Sequence, residues 1–201
     1  MRRFALATAP LFLTLGALAC ASGGAQITDS WLDPSVTSVS FDKVLVIAVT
    51  PNESVRRAAE DAMVRSAQRG NAVASYTLLT SEQLGNNATV RSAIQQNNFD
   101  GAVTMRLVGK EQQTTWVPGS YPTPYYSFYG YHTYSYPMAY DPGYLRTDDI
   151  VKIETNVYSI EDDKLIWTGL SESFNPDNVT SLVSGIAEAI AQDMRDKGVM
   201  L

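Results

Sequence analysis

The sequence predicts an α/β fold, a mixed five-stranded sheet in the chain order β-α-β-α-β, tyrosine-rich loop, β-β-α. The first strand is central, the spatial order is 2-1-3-4-5, and helices lie on both faces. Three observations carry this prediction. Val44-Leu45-Val46-Ile47-Ala48-Val49 is an unbroken apolar run, mostly β-branched, set between Lys43 and Thr50-Pro51. Such a run fits a strand buried on both faces of a parallel sheet. Two helix-and-strand units follow it. Residues 149–160 then alternate Val151, Ile153, Thr155 and Val157 with Lys152, Glu154, Asn156 and Tyr158, the pattern of a strand with one wet face.

Taken in order, residues 27–41 are irregular, with Trp31 near Asp33-Pro34. A weak alternation of Val39 and Phe41 against Ser38 and Ser40 predicts a short edge strand leading into the first core strand. Thr50-Pro51-Asn52-Glu53 predicts a helix start, with Thr50 as N-cap, Pro51 first in the helix and Glu53 closing a capping box. This helix runs to about Arg69. Val55, Ala59, Ala62 and Met63 form a small-residue face for the sheet, while Arg56, Arg57, Asp61 and Arg65 lie away from it.

Gly70-Asn71 is the stop, and residues 72–79 read as the second strand. Thr80-Ser81-Glu82-Gln83 has the form of a capping box soon interrupted by Gly85-Asn86-Asn87, so a short turn precedes a helix over 88–96 that buries Val90, Ala93 and Ile94. Asp100-Gly101 turns into a third strand over 102–108. Right-handed crossovers arrange these three parallel strands 2-1-3. After residue 160, Glu161-Asp162-Asp163 is a polar turn, and 164–170, containing Trp167, is the hairpin partner. Asn175-Pro176 opens the final helix; Val179, Leu182, Val183, Ile186, Ile190 and Met194 share its core face and Gly198 follows its end.

With 201 residues, one domain with a real core is the default. The formal charge of −6 argues against nucleic acid or an anionic membrane surface as partner, since both need clustered Lys and Arg. Beyond the N-terminus no long uncharged apolar run of about 20 residues predicts a spanning helix.

The first residues are a different matter. Met1-Arg2-Arg3, an apolar run from Phe4 to Leu18 and the ending Ala17-Leu18-Ala19 have the layout of a secretory signal peptide over 1–19. Cys20, the only cysteine, follows immediately, with no partner for an intramolecular disulfide. The junction resembles the lipobox of bacterial lipoproteins, with Leu18 one place nearer the cysteine than is usual. That resemblance implies an acylated Cys20 as mature N-terminus and an acyl anchor in the lipid bilayer; Ala21, where the family uses Asp for inner-membrane retention, implies a periplasm-facing outer-membrane protein. Cleavage after Ala19 to leave a free thiol is the alternative. Residues 20–41 then comprise the acylated cysteine and a flexible tether, and 42–201 a single domain with a Tyr/Pro-rich insertion at 112–147.

That insertion is the unusual stretch. Beside Trp116 it holds Tyr121, Tyr125, Tyr126, Tyr129, Tyr131, Tyr134, Tyr136, Tyr140 and Tyr144, nine of the chain's eleven tyrosines. Prolines at 118, 122, 124, 137 and 142 argue against a regular helix or central strand. Three roles fit: a low-complexity loop collapsed on the sheet edge, a recognition surface for glycan, protein or lipid headgroups, or a membrane-crossing hairpin of an oligomeric pore. Tyrosines give rigid contact area with a hydroxyl handle at little entropic cost, so these ten aromatic residues are the candidate binding residues.

No catalytic motif accompanies them. His132, the single histidine, lies within this proline-flanked stretch, a poor frame for a triad. One histidine and one cysteine give no zinc site. Asp148-Asp149 and Glu161-Asp162-Asp163 lack the glycine and spacing of a calcium loop, and Pro51 stands where a phosphate loop needs an amide. The sequence therefore predicts a non-enzymatic protein with no cofactor and no metal.

The element order on an exported acyl anchor, from about residue 42 to 198, looks like the α/β domains of the TolB N-terminal, curli-secretion lipoprotein and penicillin-binding-protein-activator lipoprotein families. The resemblance implies a periplasmic module that binds an envelope protein or glycan, with an assembly or pore subunit of a secretion-type complex as the alternative. It transfers no functional residue.

Overall fold

The computed structural model describes residues 24–67, 71–117, 119, 127–138 and 143–199, with backbone alone for 134–138. The leader and Cys20 lie outside the described residues. Strands β1 (Gln26–Leu32) and β2 (Val44–Val49) lead to α1 (Glu53–Ser66), β3 (Ala72–Ala74) and a 3-10 turn at Ser75–Thr77. Helices α2 (Ser81–Leu84) and α3 (Asn87–Gln96) precede β4 (Gly101–Val117), α4 (Phe128–Met138), β5 (Tyr144–Ser159), β6 (Lys164–Phe174) and α5 (Val179–Asp196).

The α/β class holds, but the sheet has six strands, in the order β1-β6-β5-β4-β2-β3. β3, β2 and β4 are parallel, while β4, β5, β6 and β1 run antiparallel to their neighbours. The added strand is β1, which zips onto the outer edge of β6. β2 is thus the middle of the parallel trio but not the centre of the sheet; it stands one strand in from the β3 edge.

Alternation along β2 explains why an unbroken apolar run is needed there. Val46 and Ala48 meet Ala59, Ala62 and Met63 of α1, Met105 of β4 and Val183 of α5 on one face. Leu45 points to the other face and is also fully buried, with Ile47 half-buried. A right-handed return from β3 to β4 places α2 and α3 on that second face. α1 and α5 share the first. Along the rest of that face Val157, Ile166, Trp167, Ile186, Ile190 and Met194 form the second half of the core. Trp167 is wholly buried and its indole N–H donates to Asp193 at 2.8 Å. Gly169 makes room for this ring: any Cβ there would lie inside it.

Several local expectations need correction. Asn52, not Thr50, caps α1, its side-chain oxygen accepting from the amides of Ser54 and Val55, because Pro51 leaves Asn52 the nearest side chain placed for those orphan donors. The second strand is only Ala72–Ala74; Ser75–Thr77 coils into a 3-10 turn held by Thr77 Oγ1 donating to the Ala74 carbonyl. Arg56 does not lie on the solvent side of α1, and Val55 is not buried: Arg56 is 1% exposed and Val55 37%. Finally, the third strand continues nine residues past 108 to Val117, and a helix, α4, forms inside the tyrosine-rich insertion. Its prolines at 118, 122 and 124 precede α4, and Pro137 is the next-to-last residue of the helix, so the amide hydrogen bond it removes is confined to the helix end.

Candidate functional site

β4 and β5 outrun the sheet. β6 ends opposite Ile150 and β2 opposite Arg106, yet β4 and β5 stay paired from Gln112↔Asp149 to Val117↔Tyr144. Those six pairs form a two-stranded arm projecting roughly 20 Å. A bulge at Val108, between Leu107 and Gly109, comes just after Arg106, the last β4 residue paired to β2; bulges bend a strand and raise its twist.

The arm itself is polar and tightly cross-linked. Gln112 donates to Asp149 at 2.9 Å, and the hydroxyls of Thr114 and Thr147 lie 3.2 Å apart. At its base Asn175, with φ of 47°, accepts from the Asp149 amide, donates its own amide to the Asp149 carbonyl and donates its side-chain amide to Asp148. The Asn175 bond holds the Asp148 carboxyl below its ordinary pKa, against burial and with help from Arg146 at 2.9 Å. Lys152 bridges Glu111 and Glu172, whose carboxylates hold its ammonium above the ordinary value. Arg106 pairs with Glu154 at 2.7 Å.

The end of the arm changes character. Trp116 and Leu145 face each other across the strands and are 53% and 66% exposed; Tyr144 is exposed beside them. Between the two strands in the chain, Phe128, Tyr129 and Tyr131 of α4 also stand exposed, with the Phe128 and Tyr129 rings edge to face at 5.5 Å. Gly143, at φ +83°, lets the chain enter β5 against this cluster; a Cβ would meet the Trp116 ring at 2.9 Å and the Val117 carbonyl. From Trp116 to Tyr140 the sequence carries no Asp, Glu, Lys or Arg.

Of the residues singled out from sequence, Trp116 and Tyr144 come together at the end of the arm, and Tyr129 and Tyr131 stand exposed on α4. Tyr134 and Tyr136 belong to α4 by backbone, and Tyr121, Tyr125, Tyr126 and Tyr140 lie outside the described residues. His132 is exposed on α4 with its ring 6.1 Å from that of Phe128. No group of three or more potential metal ligands occurs among the described residues, and no described helix is long and apolar enough to cross a membrane.

Sequence reasoning missed Phe128 and Leu145 as exposed apolar residues of this region, and a buried ionic cluster in the body. Arg56 donates to Glu60 at 3.1 Å, to Ser75 and the Leu79 carbonyl at 2.9 Å and to Ser81 at 3.0 Å. Glu60, fully buried, also accepts from the amides of Ala48 and Tyr76 and from Ser75. The spacing of four residues between Arg56 and Glu60 was the available signal. Every contact is internal and the pair is sealed from solvent, so it acts as a clamp fastening α1 to β2 and to the turn after β3.

The described residues thus form an α/β body with a polar two-stranded arm that ends in exposed, uncharged aromatic and aliphatic side chains. No protein-family model matches the chain, and no curated protein matches it. Among solved structures, a single-residue variant of the PelC dodecamer from Paraburkholderia phytofirmans aligns with a TM-score of 0.43 and 10% identity over 81% of this chain and 96% of that one. The PelC dodecamer in a second crystal form gives 0.40 and 11% over 88% and 99%. Lipoprotein GNA1162 from Neisseria meningitidis gives 0.40 and 11% over 77% and 98%.

Proposed function

We propose that the protein is an envelope lipoprotein, anchored in the outer membrane through acylated Cys20, that works without catalysis by presenting its aromatic tip to an envelope protein or glycan. The observation that carries this reading is the contrast along the arm: a polar, ion-paired stalk carries Trp116, Tyr144 and Leu145 into solvent, and the helix inserted between its two strands in the chain exposes Phe128, Tyr129 and Tyr131, with no covering element among the described residues. Large uncharged aromatic clusters mark binding sites more than solvated surface does, and rings with hydroxyls suit both sugar stacking and protein contact. Deleting residues 120–142 and repeating a crosslinking pull-down from cells tests it. Loss of the crosslinked partner is expected; an unchanged partner list overturns the reading.

One observation favours a second reading, an assembly subunit. Among the described residues no strand pairs with the outer edge of β4 past Arg106 or of β5 before Ile150, and such edges are templates for another strand. Mass photometry in gentle detergent decides: a monomer counts against assembly, a discrete oligomer that the deletion abolishes supports it.

A further inference from the structure

A cavity of ≈ 620 Å³ opens between the end of α1, the middle of α5 and the sheet, within the size range of small-ligand sites. Val44, Val103 and Val157 of the sheet line it, with Met63 of α1 and Ala187 and Ala191 of α5. Two of its polar side chains are spent inside the protein: Ser66 donates to the Ala62 carbonyl at 3.0 Å, and the Asn71 side-chain amide donates to the Phe41 carbonyl. The interior therefore suits hydrocarbon, since a polar group entering it gives up water for few new partners. At roughly 30 Å³ per methylene, about a water molecule's share of the liquid, the space takes on the order of twenty carbons, which is one long chain and not two.

The charges on the cavity select the head group. Arg65, in the last turn of α1, and Glu188, midway along α5, both line it and are both exposed. They do not pair with each other, and neither holds another ion pair or a side-chain hydrogen bond among the described residues. Other charges on the same two helices are matched: Arg57 pairs with Glu53, and Lys197, just past the end of α5, with Asp193. An anionic head group at Arg65 would also face the Glu188 carboxylate, and a cationic one at Glu188 would face the Arg65 guanidinium. A head group that carries both charges is complementary to both helices.

We propose that this cavity binds a single-chain zwitterionic phospholipid of the lysophosphatidylethanolamine class. The tail lies against the valines and Met63, the phosphate meets Arg65, whose planar fork matches phosphate oxygens, and the ammonium meets Glu188. The site uses neither the aromatic tip nor Cys20, so it stands or falls apart from them.

The test titrates the full-length protein, carried in amphipol, with lyso-myristoyl-phosphatidylethanolamine, with myristate and with tetradecyltrimethylammonium, and native mass spectrometry counts the bound molecules. Saturable one-to-one binding of the lysophospholipid, tighter than either singly charged probe, is the expected result. Arg65→Gln and Glu188→Gln are each expected to weaken the lysophospholipid about two- to fivefold, the size of an exposed ion pair, while Glu188→Gln strengthens myristate by a similar factor. Ala187→Trp is expected to abolish binding of all three probes and Ala191→Leu to weaken it; thermal unfolding identifies a variant that fails to fold, and the milder Ala191→Leu then carries the test. No saturable binding of the lysophospholipid, or unchanged binding to the folded cavity variant, overturns the site. A singly charged probe bound as tightly as the lysophospholipid, or no response to either charge substitution, overturns the zwitterionic head group.

Discussion

Replacing Glu60 by Ala tests whether the buried ionic cluster organises the body. The substitution removes the acceptor for four donors, the Ala48 and Tyr76 amides, the Ser75 hydroxyl and the Arg56 guanidinium. Arg56 keeps Ser75, the Leu79 carbonyl, Ser81 and a longer contact to Glu53 at 3.4 Å, but it loses the carboxylate buried with it. Breaking one side of a buried pair costs about 3–5 kcal/mol. For a domain of this size each kcal/mol lowers Tm by about 2–4 °C, so a fall of roughly 6–20 °C is expected.

A double-mutant cycle isolates the coupling. Arg56→Met and Glu60→Met alone are each destabilising, because the charge left behind stays buried without its partner. Arg56→Met with Glu60→Met restores part of the loss, since apolar side chains of similar length replace two charges that no longer face each other. Urea unfolding monitored by tryptophan fluorescence, in which Trp167 is the wholly buried reporter, measures wild type, the two single changes and the double. Glu60→Ala within about 1 kcal/mol of wild type, below the usual range for such a break, refutes the clamp, as does strict additivity of the two single changes.

Other perturbations probe single links. Thr155 is buried and its hydroxyl has no hydrogen-bond partner among the described residues, so Thr155→Val is expected to stabilise the fold by about 1 kcal/mol, read from a higher urea midpoint. Asp33, buried between Lys164 at 2.5 Å and Ser35, has its carboxyl pulled from 3.8 to about 2, first by the Lys164 bond and then by Ser35, against burial. Its folded pKa is depressed, so its stabilisation is present above 3.8 and lost as pH falls toward about 2; Asp33→Asn is expected to flatten the acid limb of a stability-against-pH curve in that window. Gly143→Val forces a β-branched residue into the left-handed region against Trp116; altered near-ultraviolet circular dichroism with little change in global unfolding is expected, because the arm lies outside the core.

Much of this fold was legible because its strands announce themselves. The uniform run of β2 and the strict alternation of β5 specify a doubly buried and a singly wet strand, and the stripe on α5 found Val183, Ile186, Ile190 and Met194. β1 was not legible: Gln26-Ile27-Thr28-Asp29-Ser30-Trp31-Leu32 is a polar edge strand whose register shifts between Ile27 and Asp29, which breaks the two-residue period. It is held by Ser30 donating to Asp193 at 2.9 Å, a contact 163 positions away. Arg56 and Glu60 were missed because charge was equated with solvent; burial of such a pair depends on partners from β2 and the turn after β3. At the site, composition located the aromatic patch, but α4 and the length of the arm come from pairing that prolines at 118, 122 and 124 obscured.

The central claim is that the aromatic tip is where the protein meets its partner. A photo-crosslinking amino acid at Tyr129, 81% exposed on α4, compared with one at Glu161 in the turn between β5 and β6, tests it most directly in living cells. A discrete ultraviolet-dependent adduct from position 129 and none from 161 is the expected result. No adduct at 129, or the same adduct from both positions, contradicts it.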